Sequence, residues 1–435
     1  MVNERCELLK NPPNRVIDGQ HVRLPLRGDL LSYRHRSGSR DSVGTERRER
    51  GRLTRPIVRS GRGRPRSRYV VPHLRHPLEA PSLRGYRTIR AVPKMAPQKP
   101  LDVVGLGYCC TDELLLLTEI PPPEGRAIIR RRERHGGGMV ATAMVAVARL
   151  GGHAGFMSAI GDDDRGGWIQ EEFQRYGVDT SRSVIRPGAR SHQTVVLVDG
   201  STGARSFLSD RGDVTDIVAE ELDRDYITGS AILHLSDASP AALLAARWAK
   251  EAGKAVCFDG THFHPSLLPL LPLVDYLIVS RFFASELASH DAGQGTGRAA
   301  ARFAGESSGS QLMESPAIAG DVPEVHGEAL LQIARQLRSH GPKVVVVTEG
   351  EHGSWCASDE GDSHTPSFPI EAVDTTGAGD VFHGAFLFAR AQGWDLRRSL
   401  LLAAATAALK CRALGGRAGI PTLAEALALT GEPLH

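Results

Sequence analysis

Cysteine is scarce in this chain. Six cysteines in 435 residues, Cys6, Cys109, Cys110, Cys257, Cys356 and Cys411, lie scattered without a Cys-x-x-Cys pair or a nearby His at zinc spacing. A disulfide framework and a zinc knuckle are both excluded. Long apolar runs are missing too: none reaches the ~18 residues that a bilayer-spanning helix needs, which excludes a membrane enzyme. The N-terminus lacks the apolar core of a secretory leader, so a reducing, cytoplasmic setting is expected. No Gly-x-x-x-x-Gly-Lys-Ser/Thr occurs, which removes the P-loop enzymes. Gly105-x-Gly107 is followed by Cys110 where a dinucleotide fingerprint needs its third glycine.

What is present is ordinary in bulk, with 41% hydrophobic and 24% charged residues. At ~100–200 residues per domain the length allows two or three domains. The formal charge of +3 hides two opposite parts: residues 1–94 carry 23 Lys and Arg against 8 Asp and Glu, and the remainder carries 30 against 42. The net charge thus changes from +15 to −12, which marks a domain boundary. In the basic part, Arg47-Arg48 and the run from Arg59 to Arg68 are interleaved with Gly, Ser and Pro. Such a composition cannot bury enough apolar surface to offset chain entropy. Residues 1–94 therefore read as a basic, unstructured extension, and Met95 would serve as a start directly before the first strand-like segment. One alternative is a nucleic-acid-binding arm, since clustered arginines attract phosphate without regard to sequence. Another is a transit peptide, against which the eight acidic residues count. The acidic remainder argues against nucleic acid as a partner of the domain.

From residue 101 onward short β-type runs alternate with helical ones. Strands are expected at Asp102–Gly107, Ala154–Ile160, His192–Asp199, Ala231–Leu235, Ala255–Asp259, Asp275–Val279 and Lys343–Thr348. Helices are expected at Met139–Leu150, Arg165–Tyr176, Ala241–Ala252 and Glu328–Ser339. Apolar strands alternating with helices indicate an α/β fold with a mostly parallel sheet covered on both faces. Glu113–Glu119, Ala127–Arg132 and Arg205–Ser209 follow one another without helices, so a small separate β sheet, lid-like, is expected around 112–132 and 192–209. Residues 289–326, rich in Gly, Ser, Ala and Asp, read as a loop insertion with a helical piece at Gly297–Phe303.

Chemistry concentrates in Asp374-Thr375-Thr376-Gly377-Ala378-Gly379-Asp380, followed by an apolar helical run from Val381 to Ala389. Small residues before a helix let backbone approach a ligand, and the first helical N–H groups point positive charge at it. The pattern is an anion site, with the Asp380 carboxylate at the helix start. A bare Gly-x-Gly-Asp could equally be an N-cap with a glycine turn.

The longer string, running on into Val-Phe-His-Gly-Ala-Phe, resembles the C-terminal signature of the ribokinase-like (PfkB) family of carbohydrate kinases. Gly136-Gly137-Gly138 before a helix ending Ala148-Arg149-Leu150-Gly151 resembles the family as well, as do Ile160-Gly161-Asp162-Asp163, Val346-Val347-Thr348-Glu349-Gly350 and Gly416-Arg417-Ala418-Gly419-Ile420-Pro421-Thr422. The resemblance covers about residues 101–425 and implies a three-layer α/β sandwich with a β lid, within a kinase domain at 95–435. It implies ATP-dependent phosphorylation of a sugar or sugar-acid hydroxymethyl group. Asp380 would be the base, with an anion hole at Gly377, Ala378 and Gly379. Positioned amides and a base suit phosphoryl transfer, which needs orientation and charge stabilisation above all.

Further roles come with the resemblance. Asp112 matches the acidic residue that holds substrate hydroxyls, though a turn Asp is the plain alternative. Gly137, Gly138 and Thr142 would line the substrate side. Thr142 stands where Asn is common and Met139 where Lys is frequent, departures that fit a ketohexokinase-like or sulfofructose-kinase-like branch. ATP would meet Thr348, Gly350, Gly353 and Gly416, its adenine between Thr348–Gly353 and a helix at Ser399–Leu414. Mg2+ is expected with ATP, with Glu286 as a ligand through water and Arg281 as a phosphate contact or a solvated helix-start residue. A monovalent cation such as K+ near Val373–Thr375 and a homodimer through the lid also belong to what the family allows. The alternatives are a nucleoside kinase of the same fold and a non-catalytic relative with a nucleic-acid-binding arm. His383 reads as a packing histidine, Asp162-Asp163-Asp164 as a helix cap, and His262 and His264 as loop residues.

Overall fold

The structure, a computed structural model, describes residues 100–202, 205–291 and 325–432. The basic extension and most of the 289–326 insertion, including Gly297–Phe303, lie outside the described residues.

The chain opens with β1 (Val103–Leu106), crosses to β2 (Cys110–Leu117) and β3 (Ile129–Gly137), and returns through α1 (Met139–Arg149) to β4 (Ala154–Met157). Then come β5 (Ala159–Gly161), α2 (Asp164–Tyr176), β6 (Val184–Arg186), β7 (Gln193–Asp199) and β8 (Arg205–Asp210). The expected strand at Ala154–Ile160 is thus two strands parted at Ser158. A regular alternation follows: α3 (Arg224–Thr228), β9 (Ile232–Leu235), α4 (Pro240–Glu251), β10 (Ala255–Gly260), β11 (Tyr276–Ser280) and α5 (Arg281–Asp291). After the insertion stand α6 (Glu328–Arg338), β12 (Val344–Thr348), β13 (Ser354–Ser358) and β14 (Ser363–Thr365). Three helices close the fold: α7 (Ala378–Ala391), α8 (Leu396–Lys410) and α9 (Leu423–Thr430).

Eight strands form the main sheet in the order β14-β13-β12-β11-β10-β9-β1-β4. Its strands are parallel from β4 to β12, and β13 and β14 add an antiparallel edge that the sequence reading did not anticipate. The Val344–Val347 run shows why both faces are covered. Val344 and Val346 pack into the layer of α1, α7 and α8, while Val345 and Val347 pack into that of α4 and α6. Uninterrupted valine suits a strand buried on both sides.

A second sheet, β3-β2-β7-β8, is built from β2 antiparallel to β3, parallel to β7, and β7 antiparallel to β8. It has one small apolar cluster of its own, Leu114, Val196 and Val198. Glu113 on this sheet is bridged to Arg132 and Arg134 of the neighbouring strand.

Two glycines set the start of α7 and its packing. Gly377 caps α7 in the left-handed region at φ 74°, where a side chain is strained. Gly384 lets α7 lie against α1, since a Cβ there would press on the Ala143 carbonyl. That close approach brings the glycine-rich starts of α1 and α7 to the same end of the sheet. The C-terminal ends of β1, β10, β11 and β12 open there too, the place where open α/β sheets bind ligands.

Candidate active site

The turn before α7 is held from beneath by a buried aspartate. Asp374 Oδ1 accepts the Thr376 N–H at 2.8 Å and Oδ2 accepts the Gly415 N–H at 2.7 Å. Burial alone would raise this carboxyl, but those amides and the nearby Lys410 ammonium hold it below its usual range. Arg205, from the first residue of β8, pairs with Asp374 at 2.9 Å and donates to Thr376 Oγ1 at 2.5 Å. A side chain of the second sheet thus reaches the turn of the first. Lys410, fully buried near the end of α8, donates to the Asp374 carbonyl at 2.8 Å.

Gly377 lies against the Gly415-Gly416 loop, its missing Cβ only 3.0 Å from Gly416 Cα. The Gly377–Asp380 backbone is therefore backed by a second glycine loop, and within the turn the Ala378 N–H donates to the Thr375 carbonyl at 3.2 Å. Asp380, half-buried in the first turn of α7, has its carboxyl pushed up to about 6. Burial is the main cause and Asp112 adds to it, while Arg417 and Lys410 pull the other way. Asp259, at the end of β10, is buried and pushed well up by burial and by Asp380.

On the other side Asp112 of β2 pairs across with His135 of β3 and takes the Cys110 thiol at 3.3 Å. A Cβ on Gly137 would sit 2.5 Å from Asp112 Oδ2, so glycine is needed there for the carboxylate to lie flat. Burial raises the Asp112 carboxyl. Tyr108, in the β1–β2 crossover, lies among these groups: burial raises its hydroxyl, and Cys110, Asp380, Asp112 and Asp259 raise it further. Its ring meets His192 edge-on at 6.3 Å.

Arg417 knits the site together, and its side chain is almost wholly buried above the Phe173 ring. It pairs with Glu172 of α2, donates to the Gly137 carbonyl at 2.7 Å and to Thr142 Oγ1 at 3.2 Å. Glu172 in turn accepts the Gly136 N–H at 3.1 Å. Thr142 therefore faces Arg417.

The structure brings together Asp112, Gly137, Gly138, Gly377, Ala378, Gly379, Asp380 and Gly416. Thr348, Gly350 and Gly353 stand at the end of β12, in a turn held by Glu349. That carboxylate accepts from Trp355 Nε1 and His326 Nδ1, each at 2.8 Å. Both oxygens of Glu286 are engaged by His262 Nδ1 at 2.9 Å and the Phe263 N–H at 2.8 Å, so His262 does have a carboxylate partner. A carboxylate keeps lone pairs beyond two such bonds, which still fits a water-mediated cation contact. Arg281 opens α5 with its guanidinium over the Phe282 ring. Asp163 caps α2 through the Gly166 N–H.

Sequence reasoning missed Tyr108, Glu172, Arg205, Asp259 and Lys410, and quoted Arg417 without a role. Signals existed for two of them. Asp259 ends an apolar parallel strand, and Lys410 stands on an otherwise apolar helix face. Arg205 and Glu172 are ordinary surface-type residues in sequence.

Residues 101–423 match the description pfkB family carbohydrate kinase. Among curated relatives, the 5-dehydro-2-deoxygluconokinase of Clostridium perfringens is 28% identical over 284 residues, covering 62% of this chain and 77% of the relative. The aminoimidazole riboside kinase of Salmonella typhimurium is 31% identical over 298 residues, covering 65% and 84%. Among solved structures, the Arabidopsis thaliana ribokinase complexed with ribose and ATP superposes with a TM-score of 0.62, at 22% identity over 77% of this chain and all of that one.

Proposed function

The chain belongs to the pfkB family of carbohydrate kinases, and from that premise we propose that it transfers the γ-phosphoryl group of ATP to a hydroxymethyl group of a sugar or sugar acid. The observation that carries this reading is the half-buried Asp380 carboxyl in the first turn of α7, beside the Gly377-Ala378-Gly379 backbone at the helix start, and burial raises that carboxyl to about 6. Asp380 takes the proton of the acceptor hydroxyl. The amides and the α7 dipole stabilise charge on the equatorial oxygens of the transferred group, with Arg205 closing over the turn. Asp112 accepts hydrogen bonds from acceptor hydroxyls, while Gly137 and Gly138 leave room for the sugar. Thr348, Gly350, Gly353 and Gly416 offer backbone to the nucleotide. Mg2+ would be held mainly by ATP oxygens and water, with Glu286 on one of those waters, and supplies charge neutralisation of the β- and γ-phosphates. The 5-dehydro-2-deoxygluconokinase relatives support a sugar acid as acceptor. The test is ADP release at saturating MgATP with 5-dehydro-2-deoxygluconate, 2-keto-3-deoxygluconate, fructose, ribose and sulfofructose.

A nucleoside acceptor is the second reading, and Tyr108 is the observation in its favour. It gives the pocket an aromatic wall that strands 113–132 lack. Adenosine and aminoimidazole riboside belong in the same panel, and either as best acceptor replaces the sugar reading. Exposed Ile129 and Phe207 on the edge strands β3 and β8 support a homodimer through that sheet.

If Asp112 holds hydroxyls by charge-assisted hydrogen bonds, leaving them unpaired costs ~1–3 kcal/mol. Asp112→Ala should raise the acceptor KM by about ten- to a hundredfold and leave the ATP KM unchanged. Steady-state kinetics with each substrate varied decides it, and an unchanged acceptor KM overturns the assignment.

Lys410 bears on the monovalent cation. Its ammonium already lies on the Asp374 carbonyl, within the stretch where K+ was expected. Turnover of the unmodified chain should therefore be equal in potassium and choline buffers. Lys410→Met should lose about tenfold in kcat, one hydrogen bond's worth, and regain part of it in potassium. Strong potassium activation of the unmodified chain would refute this.

A further inference from the structure

Register places His234 of β9 directly beside Cys257 of β10. Both face the helical layer of α7, since their chain neighbours Leu233, Leu235, Val256 and Phe258 pack on the opposite face. Helix α7 lays His383 against them, its ring centre 5.3 Å from that of His234. All three residues are buried. One donor atom of each lies within 4.8 Å of the other two.

The hydrogen bonds around this trio are incomplete in a specific way. Asp259, two residues beyond Cys257 on the same strand face, stands 3.3 Å from His383 Nε2. That contact engages Nε2, and Nδ1 has no partner. Neither nitrogen of His234 meets a partner at hydrogen-bond geometry, with the Cys257 backbone as the polar group beside the ring. Buried polar atoms left dry cost ~1–3 kcal/mol each. A bound ion or water is a common reason for such groups.

We propose that His234, Cys257 and His383 bind a zinc-class divalent ion, with Asp259 as the outer carboxylate that orients His383.

Two features favour an ion over a water. A histidine that ligates metal characteristically gives its other N–H to a carboxylate, the arrangement Asp259 and His383 adopt. Two imidazoles on one tetrahedral zinc, at about 2.1 Å per bond, put their ring centres roughly 5 Å apart, close to the spacing found here. The donors need to draw in by about 1 Å to reach tetrahedral separations, a matter of side-chain rotation. On binding, the Cys257 S–H bond breaks, its proton leaves to solvent and the thiolate becomes the ligand. Three protein ligands leave the fourth position to a water. Nitrogen and sulfur donors separate this site from the oxygen-ligated Mg2+ that accompanies ATP. The ion would join β9, β10 and α7 one helical turn from Asp380, and would load as the chain folds.

The test uses the full chain produced in medium supplemented with zinc or cobalt(II), then desalted. About one metal ion per chain is expected by elemental analysis. The cobalt form should show a thiolate-to-cobalt charge-transfer band that disappears in Cys257→Ser and shifts in His383→Asn. Substoichiometric metal in the unmodified chain overturns the proposal, and so does a cobalt spectrum unchanged in Cys257→Ser. Metal content of the unmodified chain decides the matter even if a variant fails to fold.

Discussion

Asp380→Asn should lower kcat by on the order of 10²–10⁴ while leaving nucleotide binding nearly intact. The substitution removes a proton acceptor and keeps every backbone amide of the turn. The pH profile makes the prediction specific. A base must be ionised to act, and the Asp380 carboxyl is pushed up to about 6, so kcat/KM of the unmodified enzyme should rise with pH through about 6. A carboxylate in its ordinary range would put that limb near 4. The limb should vanish in the Asn variant. Stability provides the control. A carboxyl raised in the folded state contributes stability that is present below its unfolded value and lost as pH rises from about 4 through about 6. At pH 8 that contribution is gone from the parent, so Asp380→Asn should melt no lower than the parent there. Near-parental turnover in the Asn variant, or an acid limb that survives it, overturns the assignment.

Local patterns made most of the fold legible. The valines of β12 and the amphipathic runs of α1, α2, α4 and α6 carry periodicity strong enough to place each within a residue or two. The β13–β14 hairpin was not legible because Ser354–Ser358 and Ser363–Thr365 are short and polar at a sheet edge. The site divides along the same line. Gly377–Asp380 could be read because a helix-start anion site is local in sequence. Glu172, 245 residues from its partner Arg417, could not, since its role exists only once α2 and the C-terminal loop meet. The bond from Arg417 to Thr142 was equally out of reach, because nothing in the surroundings of Thr142 in sequence reveals that guanidinium. The His234, Cys257 and His383 cluster escaped for a similar reason. No two of these residues are at metal spacing along the chain, and only the β9–β10 register brings two of them together.

Arg417→Met should be the most destabilising single change at the site. The guanidinium is almost wholly buried, and its partners are the Glu172 carboxylate, the Gly137 carbonyl and Thr142. Removing the cation leaves Glu172 buried and uncompensated, a loss of ~3–5 kcal/mol for a broken buried pair. Replacing both partners by apolar groups of similar volume is milder. Urea denaturation of Arg417→Met, Glu172→Leu and the double variant should therefore give strong coupling, with the double more stable than the Arg417→Met single. Part of the loss will remain, because Glu172 also accepts the Gly136 N–H. A second readout separates the site from the fold. Arg417 is the largest influence that pulls the Asp380 carboxyl down, so in whatever folded fraction of Arg417→Met remains, the acid limb of kcat/KM should move above that of the parent. Arg417→Lys should restore the charge but not the fork of contacts to three partners, recovering the position of the limb more fully than the stability. A single variant within 1 kcal/mol of the parent, by the scale of ordinary surface substitutions, or an unmoved limb, would mean that Arg417 neither holds the glycine turn of α1 nor tunes the base.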